Sequence, residues 1–428
     1  MTTPYEQATA AIHAGFHGDP NTGSCAVPIH QSTAYIFNDA EHAASLFALK
    51  QFGWIYTRLN NPTTDVFEQR MATLEGGVGA VATASGQHAI FIALLNLVHV
   101  GGHIISSQSL YGGTVSLFKN TFKRFGIEAS LVDFTDPNNI KKAVKPNTRA
   151  VFYESVANPK NEVFDYEQVA KAAHDCGLPV VCDNTVLTSV LFKPFDYGAD
   201  ISAYSATKMI GGHANSMGGI VVDSGNFDWG REPEKWPQFT KPDEHYHGLN
   251  FYETFGKLCY IVTCRTHWLR DLGGCISPTN SFYFLQGLET LALRAPKHSE
   301  NALAVAQFLE KHPLVASVNY PGLASHPGHA LAKRFMPKGT GAVLGFRIQG
   351  GRKAGQKFTE SVKLAYHVTN ICDARTIVTH PASTTHSQLN DAELISAGVS
   401  DDYIRVSVGL EDVRDIIADL DQALRASQ

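Results

Sequence analysis

The sequence predicts an α/β protein built on a mostly parallel sheet of seven strands, followed by a smaller C-terminal α/β domain. Three observations point there. Between about residues 79 and 223, strand-like and helix-like segments alternate. Strands such as Ala150-Val-Phe-Tyr153 and Pro179-Val-Val181 are continuously apolar, as expected of parallel strands covered on both faces. At 428 residues the chain is also too long for one ordinary core, so two domains are the default.

Taken in order, residues 1–60 hold few periodic segments and read as an irregular arm. A helix starts at Asn61-Pro62-Thr63, because proline suits a first turn and Val66, Phe67, Met71 and Leu74 follow at helical spacing. Gly76-Gly77 ends it. Strands are expected near 79–84, 103–107, 127–134, 148–155, 178–184, 198–205 and 219–223, with helices near 86–99, 112–124, 137–144 and 165–176 between them. Residues 224–250 are polar and turn-rich, an insertion or linker. A long helical stretch from about 251 crosses to a second region. There, helices near 281–311 and 411–425 flank strands near 315–319, 341–348, 376–379 and 403–408. The expected division is therefore an arm (1–60), a first domain (61–250) and a C-terminal domain (251–428).

Composition excludes several classes. The formal charge of −5 argues against a nucleic-acid or anionic-membrane binder, which would carry a basic face. No apolar run reaches the ~18 residues a bilayer span needs. Seven cysteines without a CxxC pair read as reduced thiols in the cytoplasm. Among the nineteen histidines, the pairs His245/His247, His326/His329 and His380/His386 lack a Cys, Asp or Glu at ligand spacing, so no metal is expected.

The chemistry concentrates at strand ends, where ligands bind in open α/β sheets. Leu178-Pro-Val-Val-Cys-Asp-Asn-Thr185 is an apolar strand ending in the carboxylate of Asp183. Ala203-Tyr-Ser-Ala-Thr-Lys208 is a second strand, followed by a lysine ringed by Ser, Thr and Gly. A lysine that forms a Schiff base and an acid that keeps a pyridine nitrogen protonated are what pyridoxal phosphate needs to withdraw electrons from an amino acid's α-carbon. An exposed surface lysine is the base-rate alternative, and it loses to the buried strand that precedes Lys208. Ser205-Ala-Thr-Lys208 also mimics the Ser-x-x-Lys of serine acyl-enzymes, but the Lys-Thr-Gly and Ser-Asp-Asn such enzymes require are missing.

Phosphate asks for backbone N–H groups and hydroxyls at a helix start. Ala84-Ser85-Gly86-Gln87 offers them between a strand and the apolar helix Ala89-Ile-Phe-Ile-Ala-Leu-Leu, although locally a plain N-cap explains it better. Ser205 and Thr207 add hydroxyls from a second loop. Gly77-Val-Gly79-Ala-Val-Ala82 mimics a dinucleotide fingerprint, but the helix precedes it and the strand follows, the reverse of the required context. Tyr111 in Leu110-Tyr-Gly-Gly-Thr114 follows another strand and could stack on a ring, or equally stand with its hydroxyl in water. Arg405, in Tyr403-Ile-Arg-Val-Ser-Val408, reads locally as a solvated edge residue rather than a carboxylate clamp.

In this order these residues resemble the Cys/Met-metabolism family of pyridoxal-phosphate enzymes, over nearly the whole chain. The matching motifs are Tyr56-Thr-Arg58 with Asn61-Pro62-Thr63, Ser85-Gly86-Gln87, Leu110-Tyr-Gly-Gly-Thr, Asn158-Pro159, Asp183-Asn-Thr, Ser205-Ala-Thr-Lys208, His380-Pro-Ala-Ser383 and Arg405-Val-Ser-Val-Gly-Leu-Glu411. The resemblance implies the type I fold of pyridoxal-phosphate transferases, with the cofactor in 61–250 and the substrate carboxylate site in 251–428. It implies Lys208 as the lysine that carries pyridoxal 5'-phosphate, Asp183 as partner of the pyridinium and Tyr111 as the stacked ring. Ser85, Gly86, Gln87, Ser205 and Thr207 would hold the phosphate. Tyr56 and Arg58 would reach it from a neighbouring subunit, which implies a homo-oligomer with shared active sites, at least a dimer, with a homotetramer expected but dimer against tetramer left open. Tyr56 would also touch the substrate and take part in catalysis. Arg405, assisted by Asn158 and Ser383, would bind the substrate's α-carboxylate, and Asn158 would contact the cofactor too.

Within the family, three features resemble the branch that replaces the acetyl group of O-acetylhomoserine with sulfide or methanethiol, the chemistry of methionine biosynthesis. Gly113 stands where methionine-degrading γ-lyases carry a reactive cysteine. The 224–250 insertion, with Asn226-Phe-Asp-Trp229 and Tyr246-His-Gly-Leu249, matches the longer form, as does the run Thr379-His-Pro-Ala-Ser-Thr-Thr-His-Ser-Gln-Leu389. Cys372, where a glycine is expected, and Val186-Leu187, after Asp-Asn-Thr, depart from the pattern. A γ-lyase, an O-succinyl- or O-phosphohomoserine enzyme and a catalytically silent cofactor carrier remain the alternatives.

Overall fold

The computed structural model describes residues 5–384, 387 and 398–428. Seven strands form the larger sheet: β1 (Gly79–Thr83), β2 (His103–Ser107), β3 (Glu128–Val132), β4 (Thr148–Glu154), β5 (Val180–Asp183), β6 (Ile201–Ser205) and β7 (Gly219–Asp223). Their spatial order is β1-β7-β6-β5-β4-β2-β3. Strands β2 to β6 pair in parallel, and only β7 runs against its two neighbours. The sheet is therefore mostly parallel, as the sequence predicts.

The period-two side-chain alternation of the strands is visible in the core. Ala82, Ile105, Val151, Val180 and Val222 join one buried cluster. Val81, Ile104, Phe152, Val181 and Val221 join another, so successive residues face opposite layers. Both layers are buried, which is why these strands read as unbroken apolar runs.

The helix Pro62–Glu75 begins as its sequence demands. Asn61 caps it, accepting the amides of Thr63 (3.0 Å) and Thr64 (3.4 Å), Pro62 occupies the first turn, and Gly76 closes it at φ 83°. The arm is less irregular than its sequence suggests. Gln7–His13 is helical and sinks Ala10 and Ala11 into the same core as Phe67 and Met71. Ala40–Phe47 is a second helix, in a stretch where Ile36 (97% exposed), Phe47 and Phe52 face outward.

The insertion at 224–250 is not a solvated linker. Trp229, Trp236 and Phe239 are buried in the larger domain's core, and the Trp229 ring stacks on Tyr260 at 5.5 Å and 9°. Sparse apolar residues among many polar ones hide this role, because the few that exist are large aromatics.

The smaller sheet contains β8 (Val315–Asn319), β9 (Val343–Ile348), β10 (Tyr366–His367), β11 (Ile377–Thr379) and β12 (Tyr403–Ser407), in the order β10-β11-β12-β9-β8. Its own core holds Val305, Phe346, Phe358, Ile404 and Leu420. Residues 251–289, which the sequence pattern groups with the C-terminal domain, join the larger domain's core instead: Phe251, Tyr260 and Cys264 enter one cluster, Phe284 and Leu288 the other. The helix Leu291–Glu310 then joins both cores, burying Leu291 and Ala295 in the first and Val305 and Leu309 in the second. No helix among the described residues is long and apolar enough to cross a membrane.

Candidate active site

Because β2, β4, β5 and β6 run in parallel, their carboxyl ends open on one edge of the sheet, and the loops after them line a single cleft. The cleft spans about 960 Å³ with the solvent at its open mouth included. Lining it are Ser85, Gly86, Gln87, Tyr111, Asn158, Asp183, Ser205, Thr207, Lys208 and Arg405.

Lys208 follows β6 and donates from Nζ to Asn370 Oδ1 at 2.7 Å. Burial lowers its pKa; the Arg405 charge adds to this, and nearby Cys372 opposes it. A lowered pKa moves the amine toward the free base that Schiff-base exchange needs.

Asp183 ends β5. Burial pushes its carboxyl up to about 6, against the stabilising Thr185 hydroxyl (2.5 Å) and amide (3.0 Å). The Thr185 hydroxyl also accepts the Ser205 amide at 2.8 Å, tying the acid's strand to the lysine's. Beside it, Glu154 ends β4 in register with Asp183. Burial, with Asp183 alongside, drives the Glu154 carboxyl well above its ordinary range, opposed by the amides of Tyr111 and Asn158.

Tyr111 stands at the cleft's rim, 48% exposed, just before the helix Gly112–Ser116. A Cβ at Gly113 would lie 2.5 Å from its ring and 3.2 Å from Gln87 Nε2, so the ring occupies the space a side chain at 113 would take.

Helix Gly86–Leu95 starts against the lysine strand. Ser85 caps it, accepting the His88 amide at 3.2 Å, so the bland N-cap role is real. A Cβ at Gly86 would sit 2.4 Å from Ser205 Cβ, so only glycine brings this helix start so close to Ser205. The Thr207 hydroxyl is already engaged with Gly218, donating to its carbonyl at 3.2 Å and accepting its amide at 3.1 Å.

Arg405 is not an edge residue. β12 lies between β11 and β9, and the side chain is buried against the cleft. Its Nη2 donates to the Asn370 carbonyl (3.2 Å) and Thr379 Oγ1 (3.3 Å), and its Nη1 lies 3.5 Å from Asn158 Oδ1. Among the described residues no carboxylate forms an ion pair with it. Its partners among the described residues are neutral, so this buried guanidinium has no counter-charge there.

Three of the sequence-predicted residues lie elsewhere. Ser383 exchanges a hydrogen bond with His380 Nδ1 at 2.8 Å and does not line the cleft. Tyr56 and Arg58 line a separate surface hollow with Phe47 and Arg270; the Arg58 guanidinium sits 5.4 Å over the Tyr56 ring and donates to the Arg270 carbonyl.

Sequence reasoning missed Glu154 and Asn370. The strand-end argument that singled out Asp183 applies equally to Glu154 on the adjacent strand. Asn370 carries no such signal, since it reaches Lys208 across 162 positions of chain. Of the departures, Cys372 has φ 57°, a left-handed conformation, which explains why a glycine suits that position. Burial pushes its thiol up to about 12, which disfavours the thiolate. Val186 lines the cleft, whereas Leu187 is core. Among the described residues, no group of three or more His, Cys, Asp or Glu side chains could hold a metal ion. His386 and part of the run 379–389 lie outside the described residues.

These residues suit pyridoxal phosphate: a buried lysine, a strand-end acid, a helix start that glycine brings close, and an aromatic ring at the rim. The family model described as Cys/Met metabolism PLP-dependent enzyme matches residues 8–425. An O-acetyl-L-homoserine sulfhydrylase from Leptospira meyeri is 49% identical, with 99% of this chain and 98% of that protein covered. A homocysteine synthase from Schizosaccharomyces pombe is 49% identical, with 98% of each covered. The crystal structure of a Campylobacter jejuni protein assigned as an O-acetylhomoserine (thiol)-lyase superposes with a TM-score of 0.95 at 40% identity, covering 98% of this chain and 100% of that one. It carries N'-pyridoxyl-lysine-5'-monophosphate at position 205 of its own chain.

Proposed function

The chain belongs to the Cys/Met-metabolism family of pyridoxal-phosphate enzymes, and from that premise we propose that it catalyses γ-replacement on O-acetyl-L-homoserine. The γ-carbon–oxygen bond breaks and acetate leaves with the electron pair. A lone pair of sulfide, or of methanethiol, forms the new carbon–sulfur bond, giving L-homocysteine or methionine. The observation that carries this reading is the buried Arg405 guanidinium, bonded to neutral groups, in the same cleft as Lys208.

When bound, pyridoxal phosphate supplies an electron sink for charge developing at the substrate's α-carbon. The protein's side chains do the rest. Lys208 would hold the cofactor, and its free amine, Nζ, would take up the substrate's α-proton and return it. Asp183, when ionised, would favour a protonated ring nitrogen, and Tyr111 would offer its ring as a stacking face. Ser85, Gly86, Gln87 and Ser205 would receive the phosphate at a helix start, beside Thr207, whose hydroxyl is held by Gly218. Arg405 and Asn158 bind the α-carboxylate and so orient the α-proton toward Lys208. No group need activate the nucleophile strongly, because hydrosulfide is already abundant at neutral pH.

Two features support sulfide addition over methionine degradation. Position 113 is a glycine whose missing side chain leaves room for the Tyr111 ring, so no thiol stands there. Both sulfhydrylase and homocysteine-synthase relatives match end to end.

Tyr56 and Arg58, remote from the cleft of their own chain, serve the phosphate and substrate of a second copy. The exposed Ile36, Phe47 and Phe52 nearby supply the apolar surface such a pairing would bury. The functional unit is then at least a homodimer.

The test is incubation with O-acetyl-L-homoserine and sulfide, measuring homocysteine against 2-oxobutanoate. Homocysteine and acetate in equal amounts support the reading. Ammonia and 2-oxobutanoate without homocysteine make the protein a γ-lyase, and preferential use of the succinyl ester changes the leaving group.

A further inference from the structure

Resting on that reading, we propose that Glu154 is a positioning residue that sets the spacing between the Tyr111 ring and Asn158 across the cofactor cleft. Glu154 Oε1 accepts the backbone amide of Tyr111 at 2.6 Å, and Oε2 accepts that of Asn158 at 3.3 Å. The two amides come from segments on different strand-end loops, one after β2 and one after β4. A backbone N–H can only donate, so one side chain with two acceptor atoms is the simplest clip between them.

The clip sits where its position is determined on all sides. Glu154 is 5% exposed, is the last residue of β4, and is held in register with Asp183 by the β4–β5 ladder. Its backbone cannot shift without moving the strand that carries the pyridinium partner. Three groups assigned to the cofactor or substrate, at 111, 158 and 183, are thereby referred to one carboxyl group. Glu154 also lines the cleft, yet none of the steps above uses it. A carboxyl group at the end of a parallel strand, beside a second carboxyl, is costly to bury, and that cost is offset only by what it organises.

Whatever its protonation, each carboxyl oxygen keeps a lone pair to offer an N–H. An amide nitrogen has none, so Glu154→Gln preserves shape while turning one of the two contacts repulsive. Glu154→Asp keeps both oxygens but shortens their reach by one methylene. The experiment compares both variants with the wild-type holoenzyme. Its readouts are the visible circular dichroism of the bound cofactor, the Kd for pyridoxal phosphate of the resolved protein, KM for the amino-acid substrate, and thermal stability.

Expected are a weakened or inverted cofactor dichroism, a Kd raised about tenfold and a KM raised about tenfold, with stability little changed for Glu154→Gln. If Glu154→Gln does not fold, Glu154→Asp carries the same expectation. Variants that lose stability but retain wild-type dichroism, Kd and KM would overturn the proposal, since a merely structural acid behaves that way. A wild-type protein that binds cofactor but makes no homocysteine overturns the proposed reaction instead, while the dichroism and Kd of the variants still decide the role of Glu154.

Discussion

Lys208 and Asn370 meet at 2.7 Å, Nζ to Oδ1, joining the end of the larger sheet to a loop of the smaller domain. The backbone carbonyl of the same asparagine accepts Arg405 Nη2 at 3.2 Å, so one residue touches both cations of the cleft. Asn370→Ala removes the first contact and keeps the second. It is expected to lower kcat roughly tenfold or more, as for a lost hydrogen bond to an ionisable donor, while KM changes little. Steady-state kinetics separate the two effects, and a change confined to KM would contradict this division of labour.

Arg405 offers the complementary case. Arg405→Ala is expected to raise KM for the amino-acid substrate on the order of a hundredfold, as when one member of a buried ionic pair is lost. Arg405→Lys keeps the charge but not the fork, and it should recover only part of the affinity. Cofactor absorbance should survive in both variants. If KM is unaffected, the substrate carboxylate binds elsewhere.

Shared active sites can be tested by mixing inactive chains. Lys208→Ala and Arg58→Ala proteins, unfolded together and refolded, should regain activity. In a mixed dimer one cleft combines Lys208 from one chain with Arg58 from the other. Activity no higher than the sum of the separate variants would place each site within a single chain.

Cofactor uptake should depend on pH through Asp183. Burial raises its carboxyl to about 6 in the cofactor-free protein, so below that pH it is protonated and offers no charge to a pyridinium. Binding of pyridoxal phosphate should therefore weaken as pH falls through about 6, and Asp183→Asn should bind weakly throughout with the pH dependence flattened. Fluorescence titration of the resolved protein measures this. An unchanged profile in Asp183→Asn would assign the titration to another group, with Glu154 the first to examine.

A stability effect is expected far from the cleft. Among the described residues neither oxygen of the buried Glu75 finds a hydrogen-bond partner, although the Tyr204 and Ser202 hydroxyls lie nearby, and burial raises its carboxyl to about 7. A raised carboxyl favours the folded state while protonated, so its penalty grows from the unfolded value near 4.5 and is complete above about pH 7. Glu75→Gln should therefore raise Tm above pH 7, by at most on the order of 3 kcal/mol of stability, and should do little at pH 4.5. Calorimetry at both pH values checks the sign.

Much of this protein is legible along the chain because its signals are local. Continuous apolar runs mark strands with both faces covered, Asn61-Pro62 and Gly76 bound a helix by their own backbone chemistry, and Asp183 and Lys208 stand at strand ends. The family motifs add roles to those positions.

What remained hidden depends on residues that meet only after folding. Arg405 looks like an edge residue until β11 and β9 flank its strand. Residues 251–289 read as the start of a second domain, yet they join the first domain's core, because periodicity shows that a helix has an apolar face but not which core receives it. Asn370 meets Lys208, and Glu154 joins Tyr111 to Asn158, through contacts that no spacing rule encodes. Backbone preference and burial period act over a few residues and can be read from sequence, whereas a hydrogen bond between distant segments exists only once packing has brought donor and acceptor within about 3 Å.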